Sequence, residues 1–208
     1  MVKDVVRSER ELREIYDQPS ARAVCKETPT LGDDCRAFIA HSPFLVMGTA
    51  GADGTCDVSP KGDAPGFVHV LDDGHLLLPD RVGNNRLDGL RNIVANGHVA
   101  LLFFIPGRED MLRVNGRALI VRDDAMLEQL AVEGKRPRTA ILVEVEQCFL
   151  HCSRAAKRSR IWDPAKWPDG SGVRSMQRII WDLLPVKPEG VTVEDYERES
   201  NERVKVLY

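Results

Sequence analysis

The chain has 208 residues, 43% of them hydrophobic, with 29 Lys and Arg against 32 Asp and Glu for a formal net charge of -3. That length and apolar content suit one domain with appendages and a sizeable core. The charge balance excludes a protein that coats nucleic acid by bulk electrostatics, so any anion site must be local.

No apolar run approaches the roughly 18 residues that a membrane span needs, and the stretch MVKDVVRSEREL lacks the apolar core of a secretory signal. The expectation is a cytoplasmic protein with no membrane partner. Cys25, Cys35, Cys56, Cys148 and Cys152 form no paired CxxC ladder, so reduced thiols are expected rather than a disulfide framework.

In chain order, Ser8 with Glu11 makes a capping box, and Leu12, Ile15 and Tyr16 follow at helical spacing. A second short helix is expected from Asp33 or Asp34 to Ala40, after the breaker-rich TPTLGD and before Pro43. Residues 1–42 therefore read as a helical segment packing on a β-rich core. Strand signals then dominate: PFLVMGTA, TCDVSPKGD, GFVHVL and HLLLP, the last two joined by the hairpin-type DDG, form a meander of about four strands. A helix over 85–96 precedes the strands HVALLFFIP and MLRVNGRALIVRD, with PGRE between them. A helix over DDAMLEQLAVEG and the strand RTAILVEVEQCFLHC complete a core of 43–152. One helical crossing among six or seven mostly antiparallel strands predicts a closed or nearly closed β-barrel with helices, an α+β arrangement without exposed edges. Residues 153–208 form a C-terminal loop and helices, with Trp162 and Trp167 in the loop.

The stretch LPDRVGNNRLDGL, residues 78–90, leaves an apolar strand and crowds Asp80, Arg81, Asn84, Asn85 and Arg86 ahead of an amphipathic helix. Leu87, Leu90, Ile93 and Val94 are expected to face the barrel, with Asp88, Arg91 and Asn92 outward and Asn84 or Asn85 as the cap. The first turn of a helix offers unpaired N–H groups and partial positive charge, and Arg86 there would add a guanidinium fork to a bound anion. Spacing alone leaves a second reading open, in which Arg81 and Arg86 pair with Asp80 and Asp88 on a solvated loop. A second cluster, CDVSPKGDAPGF, interrupts a strand with Pro60, Gly62, Pro65 and Gly66, as expected at an edge or where a ligand approaches the backbone. There Ser59 and Lys61 share a face with Asp57 and Asp63.

Other residues are assigned structural roles. Cys148, His151 and Cys152 make a C-x-x-H-C pattern, but strand alternation sets His151 on the opposite face from both cysteines. His69, His75 and His98 lie at strand positions and His41 closes a helix; no Ser-His-Asp pattern is visible. The basic run RAAKRSR, residues 154–160, reads as solvated surface rather than a nucleic-acid patch.

Together DVSPKGD, LLLPDRVGNNR, LDGLRNIVANG, HVALLFF and PGREDMLRVNGRALI, in that order, resemble the FMN-binding split β-barrel proteins related to pyridoxamine 5'-phosphate oxidase. The tail run HCSRAAKRSRIWDP, residues 151–164, is similar to a bacterial subgroup distinct from the true oxidase, and the likeness covers roughly residues 35–165. The resemblance implies an FMN-dependent oxidoreductase acting on a small molecule. Asn85 and Arg86 would hold the phosphate with Arg81 nearby. Val58, Ser59, Pro60, Lys61 and Gly62 would run along the isoalloxazine edge, and Leu78, Pro79 and Asp80 would pack the ring. It also implies a homodimer with FMN at the subunit interface, with Arg113, Arg117 or Trp162 reaching in from the partner. A module holding flavin, haem or deazaflavin without turnover is the alternative. Two charge-assisted contacts at about 1.5 to 3 kcal/mol each and a helix terminus at about 0.3 to 1 fall short of the roughly 8 kcal/mol of micromolar binding, so the ring must also be enclosed. The true oxidase carries R-x-x-L-L-K where this chain reads DVSPKGD, which argues against vitamin B6 oxidation.

Overall fold

The computed structural model describes residues 3–208. Two short helices, α1 (Glu9–Ile15) and α2 (Ala21–Val24), bury no residue, whereas α3 (Asp33–His41) buries Phe38 and Ile39. The Ser8 cap forms as the sequence predicts, its side chain accepting from the Glu11 amide and donating to the Glu11 carboxylate. Among the described residues no helix is long and apolar enough to cross a membrane.

Seven strands follow: β1 (Phe44–Ala50), β2 (Cys56–Gly62), β3 (His69–Val70), β4 (His75–Pro79), β5 (His98–Phe104), β6 (Met111–Val121) and β7 (Ala140–His151). They form one antiparallel sheet in the order β2-β1-β5-β6-β7-β4-β3. The expected meander is thus two hairpins, and β2 and β3, consecutive in sequence, lie at opposite ends of the sheet. Curling brings the ends back together through side chains instead of a ladder. Lys61 at the end of β2 lies 3.6 Å from Asp80 beyond β4, and Arg81 Nε donates to Asp63 at 2.7 Å. The result is a split barrel. Edge position explains how β2 tolerates Pro60, which supplies no N–H for a second ladder.

Inside the curl, Leu45 and Met47 of β1, Leu76 and Leu78 of β4, Leu101 and Phe103 of β5, Leu112 and Val114 of β6, and Ile141 and Val143 of β7 form the core. Each such side chain contributes about 1.5–3 kcal/mol on burial. β4 alternates as a strand must, and Leu77 points the other way into a smaller cluster with Ala140, Leu127 and Leu130 under α5 (Asp124–Gln129). Both faces of β4 are therefore covered, and HLLLP carries no polar alternation.

The connecting helix α4 (Asp88–Asn96) departs from expectation in start and orientation. Its cap is Leu87, not Asn84 or Asn85. Ile93 is buried and Leu90 half-buried, but Val94 is 80% exposed and Leu87 47%. Asn92, expected outside, points inward and donates to Thr49 Oγ1 at 3.1 Å and Asp57 Oδ2 at 2.8 Å. These polar anchors rotate the helix away from the face that apolarity alone would choose.

Beyond β7 come α6 (Arg154–Ser159), a 3-10 turn (Pro164–Lys166), α7 (Met176–Leu183) and α8 (Val193–Arg203). The last two pair through Arg178 with Glu194 and Glu197, and through Trp181 against Tyr196. Cys148 is fully buried and donates to Cys35 of α3 at 3.1 Å, whereas Cys152 is exposed. Burial and the Cys35 neighbour push the Cys148 thiol well up, which keeps it unreactive.

At Gly116, where β6 shifts register against β7, an added methyl would overlap the Glu144 carbonyl oxygen of the paired strand. Gly116→Ala should therefore lower stability by about 1–3 kcal/mol or more, read as an earlier denaturation midpoint. In the native wild type a thiol reagent should modify Cys25, Cys56 and Cys152 rapidly and reach Cys148 only on unfolding.

Candidate cofactor site

The barrel split opens into a cavity of about 460 Å³, within the range of cofactor pockets. One wall is the inward face of β2, where Asp57, Ser59 and Lys61 alternate toward the cavity. The loop after β4, residues 80–87, forms a second wall, and the first turn of α4, with Asp88, Gly89 and Leu90, closes a third. A fourth comes from the loop before β7, with Lys135, Arg136, Pro137 and Arg138, and from Tyr208 near the end of the described chain.

The residues singled out from sequence divide into two groups. Val58, Ser59, Lys61, Asp80, Arg81, Asn85 and Arg86 line the cavity. Pro60 and Gly62 lie on the outward side of β2, Leu78 is 1% exposed and turned into the core, and Pro79 is buried; none of these side chains lines it. Arg113, Arg117 and Trp162 lie elsewhere on the same chain. Arg113 sits 4.3 Å from the Phe149 ring centroid and donates to Gln147 at 3.1 Å; Arg117 contacts His98 at 3.0 Å; Trp162 is half-buried after α6. Arg113 Nε and Asn115 Oδ1 are buried without a hydrogen-bond partner among the described residues.

The loop before α4 corrects the picture of Arg86 in a helical turn. Asn84 Oδ1 accepts the Arg86 amide at 3.1 Å, and Asn85 and Leu87 adopt left-handed φ of 59° and 63°. Asn tolerates that region because its short amide bonds locally, and Leu87 is held there with Arg91 N–H bonded to its carbonyl at 2.8 Å. Arg86 consequently precedes the helix, 73% exposed, and pairs with Asp88 at 2.8 Å. The solvated-loop reading is half right: Arg86 pairs with Asp88, but Arg81 turns to Asp63 and leaves Asp80 to Lys61.

Arg81 is the most constrained cation. Its Nη1 donates to the Leu130 carbonyl at 2.8 Å, and its guanidinium lies 5.4 Å from the Tyr208 ring centroid. Tyr208 in turn donates its hydroxyl to Asp63 at 2.5 Å. Burial pushes the Asp63 carboxyl up, but hydrogen bonds from Tyr208, the Ala64 amide and Arg81, with the Arg81 charge, outweigh it and hold the group below the usual carboxylate range. Burial and Arg81 push His69 down, which favours its neutral form.

Sequence reasoning missed Asp63 as an anchor, Asn92, the 135–138 loop and Tyr208. Only the run GKRPR, with three cations about one proline, carried a visible signal. A carboxyl held below its unfolded pKa of about 3.9 stabilises the fold above that value and loses the contribution as pH falls through the folded pKa. Asp63→Ala should cost about 1–3 kcal/mol at neutral pH by leaving the Arg81 and Tyr208 donors unpaired, and should flatten the loss of stability below pH 4. Denaturant melts of both proteins from pH 7 down to pH 2.5 test this.

The family model described as pyridoxamine 5'-phosphate oxidase matches residues 31–152. No curated protein matches the chain. Among solved structures, HupZ of Group A Streptococcus is 20% identical, with 57% of this chain and 92% of that one covered at a TM-score of 0.47. A putative pyridoxamine 5'-phosphate oxidase from Lactobacillus delbrueckii is 22% identical, covering 59% and 95% at 0.46. HutZ, the haem storage protein of Vibrio cholerae, is 15% identical, covering 58% and 93% at 0.42. The matched segment begins just ahead of α3 and runs through the seven strands to the residue after β7, and on that match the chain belongs to the pyridoxamine 5'-phosphate oxidase family.

Proposed function

We propose that the protein binds FMN in this cavity and acts as an FMN-dependent oxidoreductase on a small molecule, as a cytoplasmic homodimer with the cofactor at the subunit interface. The observation that carries the reading is the convergence of Lys61, Arg81 and Arg86 with the first turn of α4 on one cofactor-sized space. A phosphate fits this donor set by charge and by the main-chain amides of a helix start. In this reading Asn85 and Arg86 hold the phosphate, with Arg81 nearby, and the β2 backbone from Val58 to Gly62 runs along the ring edge. Asp80 takes the neighbouring side, while Leu78 and Pro79 support it from behind.

Bound flavin supplies hydride or electron transfer. The chain's own residues position and shield it. Arg81, fixed by Asp63 and the Leu130 carbonyl, keeps its charge in place without reorganisation; Lys61, 23% exposed, offers a donor beside Asp80. Arg86 exchanges Asp88 for the phosphate, a swap between two anions that costs the exposed guanidinium little desolvation.

Apolar side chains at the mouth support a shared site. Val58 is 71% exposed, Val82 72% and Leu87 47%, all lining the cavity, and a second subunit seated there would bury them and exclude water from the ring. In that arrangement Arg113, Arg117 or Trp162 of one chain serves the cavity of the other, residues 43–152 form the flavin-binding core, and 1–42 and 153–208 are its extensions. Haem is the weaker occupant: among the described residues no His or Cys lines the cavity, Met47 is buried, and the Tyr208 hydroxyl is committed to Asp63.

Purified protein should be yellow, with a flavin absorption spectrum that bleaches on reduction and recovers in air. Arg86→Ala should fold, since the side chain is exposed, and bind FMN about tenfold or more weakly. A variant with unaltered flavin affinity would remove Arg86 from the site; a colourless wild type that takes up no added FMN would remove the flavin.

A further inference from the structure

The wall built by the loop before β7 takes no part in the flavin contacts proposed above. Val132 and Lys135 exchange main-chain hydrogen bonds of 3.0 and 2.9 Å around Glu133 and Gly134, whose φ values are 51° and 74°. Two consecutive left-handed residues make a tight primed turn, and glycine supplies one of them without strain. Pro137 is buried and fixes its own φ, so the residues on either side are presented from a stiff support. The loop therefore enters the cavity already ordered, with little conformational entropy left to lose on binding.

Its charges differ from the others in the cavity. Lys61, Arg81, Arg86 and Arg136 each pair with a carboxylate, from Asp80, Asp63, Asp88 and Asp124 respectively. Arg138 makes no hydrogen bond or ion pair among the described residues, and Lys135 reaches only the main-chain oxygen of Tyr208, at 3.2 Å. Two cations without an Asp or Glu partner, on a preformed turn lining the cavity, are the electrostatic complement of a small oxyanion. The Lys135 bond to Tyr208 is exposed, so an incoming oxyanion can replace it.

We propose that the loop Glu133–Arg138 forms a second anion-binding position in this cavity, so that the molecule the protein acts on carries a carboxylate or phosphate. The proposal rests on the flavin reading for the identity of the first occupant. Lys135 and Arg138 hold the charged group, and the remainder of the molecule is directed toward the β2 side of the cavity. A neutral analogue lacking the charged group would forfeit those contacts.

The test uses FMN-loaded protein titrated with inorganic phosphate and with oxalate, followed by calorimetry and by the change in flavin absorbance. One saturable anion per chain is expected, weakened about tenfold or more in Arg138→Ala and further in Lys135→Ala/Arg138→Ala, with flavin content unchanged. The exposed, unpaired Arg138 makes the single variant a folding control for the double one. The proposal is overturned if the loaded wild type binds neither anion saturably, or if the variants bind as wild type does. It is also overturned if Arg138→Ala sheds its FMN, which would hand the loop to the cofactor's own phosphate while leaving the flavin reading intact. Should the wild type take up no flavin, the flavin reading fails separately, and the same titration on the empty protein decides the loop: anion affinity reduced in the variants upholds it, and affinity unchanged removes it.

Discussion

The pairing of Arg81 with Asp63 governs the arrangement. Antiparallel ladders join seven strands into a curled sheet, but no ladder joins β2 to β4; the seam there is made by Arg81 with Asp63 and Lys61 with Asp80. A nearly buried carboxylate is tolerable only when its lone pairs are filled, and the Arg81 guanidinium, the Ala64 amide and the Tyr208 hydroxyl fill them. Arg81 also reaches the Leu130 carbonyl, so one side chain ties the ends of β2 and β4 to the segment after α5. A ladder in that position would seal the barrel. A side-chain seam closes the fold and leaves a gap beside it wide enough for a ligand.

That seam sets the electrostatics of the cavity. Cations facing the space are mostly held by carboxylates of the chain itself, which lowers the cost of gathering like charges in a folded protein of nearly neutral net charge. In the proposed reading a phosphate would take Arg86 from Asp88, so that contact would yield only the difference between two pairings. Affinity in that reading would come largely from enclosing the flat ring, and the exposed Val58, Val82 and Leu87 at the mouth are where such enclosure would take place. The same arithmetic distinguishes Lys135 and Arg138, whose contacts displace no Asp or Glu.

Membership of the pyridoxamine 5'-phosphate oxidase family fixes the scaffold without fixing the substrate. The wall on β2 reads DVSPKGD, with an acid, a hydroxyl and an ammonium alternating into the cavity, while another wall is a basic loop that is not part of any strand. Substrate choice on such a scaffold depends on loops, because loops change charge and reach without disturbing the ladders. The helices α7 and α8 hold each other by ion pairs and an aromatic contact outside the barrel, consistent with an addition to the common core.

Strand positions, the antiparallel class and the face shared by Asp57, Ser59 and Lys61 were legible from sequence, because apolar alternation and Gly or Pro punctuation are local properties of the chain. The crowding of Asp80, Arg81, Asn85 and Arg86 at a ligand-sized opening was legible for the same reason, since they follow one another on a single loop. What the tertiary structure decided lies across long sequence separations. Strand order put β2 and β4 side by side; Asn92, by bonding to Thr49 and Asp57, rotated α4 against its apolar stripe; and two left-handed residues moved Arg86 out of the helix. Arg81 chose Asp63 over its neighbour Asp80, and Tyr208 joined them from the far end of the chain, because a partner in a curled sheet is selected by distance in space, which periodicity along one strand does not encode.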